Sequence, residues 1–316
     1  GVKDRQLAWK DAEVRQLVKK HFIPAADEVD RLQRGNDSAS RFFRSIARRS
    51  FSRLRTTQGT YIVSPGGVLI DFGNVIAPDR IKSFLENGVK EFNALPRRSQ
   101  LGTFAGAGGA KSSYPADGLV LSVTLHKLYS RKPRTARERI GIVEWNADFA
   151  WFRRQEARMF LPANPVTGDK YGVPDKLVQR LARFHFTDTV RAFADAYPRR
   201  CVKQAKMMAT VVDVTGTVVS LRFDGRVQTS QDDARSVGRL RRKPDRGYDA
   251  KLLGYARYDL RQQRFLSFDL VAFGTNRGGG ARSAFEDPVK MGVILKLAGQ
   301  GPADRVEPHH LSSYDW

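Results

Sequence analysis

The chain has 316 residues with 55 Lys+Arg against 33 Asp+Glu, a net charge of +22, and a hydrophobic share of 41%. That length suits about two domains and that composition a sizeable core, which excludes wholesale disorder; no apolar run reaches the ~18–20 residues of a membrane helix. The one cysteine, Cys201, excludes an intramolecular disulfide framework, a Cys-X-X-Cys redox pair and a cysteine-built zinc site.

Residues 10–22 are expected to form the first helix. Val14, Leu17, Val18 and His21 or Phe22 share a face at 3.6 spacing, with Asp11 and Glu13 at the start and Lys19 and Lys20 at the end to suit the macrodipole. Phe22 to Ala25 then reads as a short strand. Asn36, Asp37 and Ser38 offer caps for a second helix with Phe43, Ile46, Ala47 and Leu54 as its buried stripe. Gln58–Ser64 and Val68–Phe72, separated by Pro65-Gly66-Gly67, carry a hairpin signal. Pro78 opens a third helix with Ile81, Phe84, Leu85 and Phe92 along it.

From Pro96 to Gly118 the sequence turns to Gly, Ala, Ser and Pro without periodicity, which reads as a linker between a domain over 1–95 and another over 119–316. The second domain opens with a strand at Leu119–Leu125, followed by helical patterns near Phe152–Phe160 and Pro174–Phe184. Strands then dominate: Ala209–Val214 with Val218–Phe223, Leu252–Leu260 with Phe265–Phe273, and Met291–Leu297. Val219, Leu221 and Phe223 alternate with Ser220, Arg222 and Asp224, the mark of antiparallel strands with one buried face. The expected fold class is thus an α/β domain followed by an α+β domain rich in antiparallel strands.

The first 95 residues resemble a divergent thioredoxin-like domain. The segments that carry the resemblance are Trp9-Lys10-Asp11-Ala12-Glu13-Val14 through His21-Phe22-Ile23-Pro24, then Thr57-Gln58-Gly59-Thr60-Tyr61-Ile62-Val63 and Ser64-Pro65-Gly66-Gly67-Val68-Leu69. The resemblance implies a first helix leading to a strand, then a hairpin about a Gly turn and a final helix. The family's dithiol would fall around Gln6 to Asp11, where there is no cysteine, and its cis-proline position holds Gln58-Gly59. The scaffold would therefore be used without redox chemistry, since exchange needs a thiolate and a resolving thiol. The whole layout is also similar to two-domain bacterial proteins, notably from planctomycetes, a likeness that assigns no activity.

Gly106–Ser112 lacks the glycines a phosphate loop needs at 105 and 110, where Ala stands, so it reads as linker. No His-Glu-X-X-His and no Gly-X-Ser-X-Gly occurs. His126 and His185 lie among apolar or aromatic neighbours and read as packed or surface histidines, and His309-His310 as part of a polar tail. Neither a metal nor a cofactor is expected. Asn36-Asp37-Ser38 matches a glycosylation acceptor by a pattern that arises easily by chance. Cys201, between Arg199-Arg200 and Lys203, reads as a buried or incidental cysteine. Glu144 and Asp148, near Trp145, Phe149, Trp151 and Phe152, are the best carboxylate pair; they would suit a hydrolase acting on carbohydrate, against the plainer reading of a helix start packing aromatics into the core.

Arginine outnumbers lysine about two to one, and basic runs stand at Arg41–Arg55, Lys127–Arg139 and Arg239–Arg246. Arg forks pair with phosphates and carboxylates, so an anionic partner is expected, with Arg41, Arg44, Arg48, Arg239, Arg241, Arg242 and Lys243 as the groups that would meet it. The leading reading is a redox-inactive, thioredoxin-like binding or interaction protein whose β-rich half presents the partner surface. Its alternatives are a polyanion-binding protein for RNA or DNA and the Glu144/Asp148 hydrolase. The chain opens on Gly1 without an apolar signal core, which reads as a processed form; cell envelope and cytoplasm both stay open.

Overall fold

The structure, a computed structural model, describes residues 9, 11–25, 27, 29–54, 57–75, 77–101, 114–132, 145–189, 196–231, 246–278, 288–301, 304–314 and 316. The chain divides into two compact units, Gly1–Ser113 and Tyr114–Trp316, and the division falls inside the stretch expected as linker.

In the first unit, helix α1 (Ala12–His21) begins where Asp11 accepts hydrogen bonds at 3.0 Å from the N–H groups of Glu13 and Val14. Lys19, Lys20 and His21 occupy its last turn, as the dipole favours. Asp11→Ala is expected to lower the stability of this unit by about 1 kcal/mol, read as a fall in the urea midpoint; no change would mean that the cap is idle. Helix α2 spans Val29–Arg34 and α3 spans Ser38–Leu54, with Asp37 receiving Ser40 N at 3.0 Å and Ser40 Oγ at 2.7 Å. Phe43, Ile46 and Ala47 are buried on α3, as their spacing predicts.

Strands β1 (Thr60–Val63) and β2 (Leu69–Gly73) form the expected antiparallel hairpin. Its turn is closed by Gly67 N to Ser64 O and Ser64 N to Val68 O, each 2.9 Å, and Gly67 takes φ 80°, a conformation glycine adopts without a Cβ penalty. Helix α4 (Pro78–Ala94) starts on Pro78 and lays Ile81, Phe84 and Leu85 against Val14 and Ile62. Gly88 lets it approach the hairpin, since a Cβ there would stand 2.3 Å from Ile62 Cδ1. A short helix α5 (Arg97–Leu101) follows; residues 102–113 of the expected linker lie outside the described residues.

One expected element is not formed. Phe22 to Ala25 is not a strand, and Ile23 is 98% exposed. Pro24 has no N–H for a ladder, and among the described residues the sheet of this unit has only β1 and β2, so no neighbour stands ready to pair. The strand that the thioredoxin resemblance places after the first helix is therefore missing from the described residues.

The second unit is built on an eight-stranded sheet of order β4-β3-β10-β9-β8-β7-β6-β5 in which every neighbouring pair is antiparallel. Its strands are β3 (Leu119–Leu128), β4 (Trp145–Phe152), β5 (Lys170–Gly172), β6 (Val202–Thr215), β7 (Val218–Gln231), β8 (Arg246–Asp259), β9 (Arg264–Arg277) and β10 (Val289–Leu297). From β5 to β10 the chain meanders between neighbours, and β3 lies beside β10. This is the antiparallel, strand-rich half expected from the alternation, with strands longer than the apolar runs that announced them.

One face of the sheet is covered by helix α6 (Arg154–Arg158), helix α7 (Asp175–Arg180) and a wide π-turn at Leu181–His185. Inward side chains such as Leu221, Phe223, Leu270 and Val293 pack with Leu177, Val178 and Leu181 into one core. Phe160 sits at its centre, fully buried, edge-on to Phe152 at 5.1 Å and to Phe268 at 5.7 Å.

Candidate functional site

Two places in the second unit gather side chains that a core does not explain. The first is the outer face of the sheet, fixed by register. Leu253 on β8 stands opposite Val271 on β9, Val271 opposite Ile294 on β10, and Ile294 opposite Thr124 on β3. The three apolar side chains are 47%, 40% and 39% exposed. Tyr255 and Phe273 flank this row and are also exposed. Isolated exposed apolar residues are ordinary; here three stand in register on adjacent strands.

Charge surrounds the row. Arg226 makes a two-pronged pair with Asp249 at 2.8 and 3.1 Å, Arg222 meets Asp224 at 2.9 Å, and Lys296 meets Asp269 at 3.5 Å. Lys251 and Arg257, exposed on β8, have no carboxylate partner among the described residues, so this face keeps a positive excess.

The second place is a buried polar cluster beside β4. The aromatic cluster about Glu144 and Asp148 reads in sequence as a cleft or a helix entry; Trp145–Phe152 is instead a strand, and its alternation runs with polar residues inward. Asn146 and Asp148 are buried while Trp145, Ala147 and Phe149 are half exposed. Asp148 Oδ1 accepts His309 N at 3.1 Å, and Asp148 Oδ2 stands 3.8 Å from His185 Nδ1. His185 Nε2 pairs with the Tyr314 hydroxyl, and close by Lys127 Nζ is paired with Asp188, both buried. Burial, reinforced by His310, Arg180 and His309, lowers His185 to a pKa of about 3, so its ring is neutral at pH 7. Arg180 forks onto Glu156, donating from Nη1 to Oε2 at 2.8 Å and pairing Nη2 with Oε1. Burial alone would raise the Glu156 carboxyl, but the bonds from Arg180, Arg153 N and Trp316 Nε1 outweigh it and hold it low.

Asp148, His185, Asn146 and Thr189 line a recess of about 10 Å³, room for a single water. Asn146 Oδ1 and His185 Nδ1 are buried without a hydrogen-bond partner among the described residues, the setting in which a bridging water is held. A histidine beside a carboxylate is a proton-transfer pair in outline, yet a sugar ring does not fit a recess of this size. Glu144 lies outside the described residues. The segment expected as a polar tail is packed instead: Tyr314 is buried with Val120, Trp151 and Phe184, and the His310 ring leans on Phe184 at 5.8 Å.

The arginines singled out on α3 divide by use. Arg44 Nη1 donates to Gly35 O at 2.6 Å and Leu32 O at 3.2 Å, closing the C-terminal end of α2. Arg41 donates to Asn36 O, and Arg48 is exposed. Arg239, Arg241, Arg242 and Lys243 lie outside the described residues, as does the glycine-rich stretch 106–112. Cys201 is buried in the second unit. His126, expected as a packed or surface residue, is exposed on the outer face and stacks on Trp145.

Among the described residues no group of three or more His, Cys, Asp and Glu is spaced to hold a metal ion, and no helix is long and apolar enough to cross a membrane. Compared with protein-family models, with curated proteins and with solved structures, the chain matches none.

Proposed function

We propose that the chain is a redox-inactive binding protein whose β-rich unit presents its outer sheet face to an anionic partner. The observation that carries this reading is the registered row Leu253–Val271–Ile294, exposed beside Lys251 and Arg257. Apolar side chains in that position add nothing to the core, and desolvating them against a partner is favourable at roughly 25 cal/mol per Å². A net charge of +22 attracts any polyanion before specificity arises and disfavours self-association. The first unit is, on this reading, a thioredoxin-like scaffold without its dithiol, supported by the order of hairpin and closing helix, and a lone buried Cys201 cannot cycle an intramolecular disulfide.

Heparin serves as a generic polyanion to test the surface. Lys251→Ala/Arg257→Ala is expected to reduce the log–log salt slope of heparin binding by about 2, one for each cation removed. Arg48→Ala, in the first unit, is expected to change it little. A slope unaltered by the sheet variant but lowered by Arg48→Ala would move the partner surface off the sheet.

A further inference from the structure

The outer face contains a gap whose walls are rings. Gly292 on β10 stands directly opposite Phe273 on β9 and, on its other side, opposite His126 on β3; His126 in turn faces Trp145 on β4. All four positions point away from the core: Phe273 is 47% exposed, His126 is exposed, and Trp145 and Gly292 are half exposed. The other outward positions of β10 carry Lys290, Ile294 and Lys296, so the glycine interrupts a row of long side chains. A Cβ at Gly292 would meet only Phe273 Cδ2, at 3.8 Å. The strand therefore has room for a Cβ at this position and does not use it.

From the geometry we infer that this gap is a slot for a nucleobase, and that the anionic partner is a single-stranded nucleic acid. The inference rests on the reading of the outer face as the binding surface. Phe273 and His126 are two strands apart, about 10 Å at strand spacing. A planar ring held between two others needs two van der Waals separations of about 3.5 Å, which that span accommodates, and Phe273 Cδ2 stands 3.8 Å from where a Gly292 Cβ would be, at the near edge of the gap. The far wall is set, because the His126 and Trp145 rings stack at 6.1 Å with 12° between their planes. Every base has a π-face, so such a wall accepts bases with little regard for sequence.

Cations stand where a backbone would pass. Lys251 lies directly opposite Phe273, and Lys290 is two residues along β10 from Gly292 on the same face, its Nζ bonded to Thr275 Oγ1 at 3.0 Å. The row Arg226–Lys251–Phe273–Gly292–His126–Trp145 crosses six adjacent strands, about 24 Å, the reach of a few nucleotides. A duplex hides its base faces and fits the slot poorly. A lipid surface is disfavoured because Asp224, Asp249 and Asp269 stand among the apolar side chains.

The test is fluorescence anisotropy at physiological salt with a fluorescein-labelled oligothymidylate of about ten nucleotides. The same strand annealed to its complement, thymidine monophosphate as competitor, and phosphatidylglycerol vesicles form the other arms. The single strand is expected to bind, with the duplex and the mononucleotide each at least about tenfold weaker. Phe273→Ala and Gly292→Val should each weaken binding of the single strand about tenfold while leaving the melting temperature near wild type, since stacking one base contributes on that scale. Arg48→Ala should leave it unchanged. If Gly292→Val fails to fold, the exposed Phe273→Ala decides alone. Wild-type binding by both slot variants, or equal competition by the duplex, overturns the inference. Vesicle binding that Phe273→Ala abolishes, with no binding of the single strand, overturns the nucleic-acid assignment and leaves the outer face as the partner surface. No binding of either probe also overturns it, and the heparin slope then decides the broader reading separately.

Discussion

Asp188→Ala is expected to cost the β-rich unit about 3–5 kcal/mol, the scale on which breaking a buried ion pair destabilises. The Lys127 side chain is 0% exposed and that of Asp188 9%, so neither charge has water to fall back on. Lys127 stands on the core side of β3, between Leu125 and the strand end, so removing the Asp188 carboxylate takes away a counter-charge where burial makes an ammonium costly. The double variant Lys127→Met/Asp188→Ala should recover much of the loss, because it removes the buried ammonium along with the carboxylate and puts a flexible apolar chain in its place. Urea unfolding followed by tryptophan emission reads this unit well, with Trp145, Trp151 and Trp316 of the four tryptophans inside it. A loss below about 1 kcal/mol for Asp188→Ala, or a double variant worse than the single, would mean that the pair is not what holds Lys127 in place.

Local pattern carried the parts of the fold that depend on local rules. The capped helix α1, the hairpin about Gly67 and the α4 stripe follow from spacing, capping and turn chemistry alone. So did the antiparallel alternation on β7, where Leu221 and Phe223 turn inward and Arg222 outward. Strand ends were missed because charge there reads as loop: Lys206, Arg226 and Asp249 extend their strands through cross-strand partners that no local window contains. Strand β4 was misread for a different reason. Its inward residues are the polar Asn146 and Asp148, so the usual meaning of alternation is reversed, and only the groups that meet them reveal it.

The sites were less legible than the fold. On β9, Leu270 and Ala272 point in while Val271 and Phe273 point out, and in sequence the four form one unbroken apolar run. Phe273 becomes neighbour to His126 only through the register of β10 between them, and the bare Gly292 becomes meaningful only there. His185, Asp148 and His309 are likewise brought together from distant parts of the chain. Arg44 shows the converse case: it read as a ligand for an outside anion, and its Nη1 is already committed to the carbonyls that end α2.

Below about pH 6.5 the β-rich unit is expected to lose stability through His185, by roughly 1.4 kcal/mol per pH unit down to about pH 3. Complete burial disfavours the imidazolium first, and His310, Arg180 and His309 add positive charge around it; the Asp148 carboxylate, 3.8 Å from Nδ1, opposes them. The native pKa of about 3 lies below the ordinary 6.5, so between those values the unfolded chain binds a proton that the folded chain refuses. Stability is therefore full above about pH 6.5 and falls as pH falls, by about 2 kcal/mol at pH 5. His185→Gln separates this from the titration of carboxylates, because it keeps a polar group facing Tyr314 and cannot take up the proton. At pH 7 the variant should be the less stable, having lost the fit of the ring, and the gap to wild type should close by about 2 kcal/mol on going to pH 5. A gap independent of pH would remove His185 as the responsible group. A gap that widens toward acid would reverse the sign: it would mean that Asp148 holds His185 charged in the folded state and that the carboxylate outweighs both burial and Arg180.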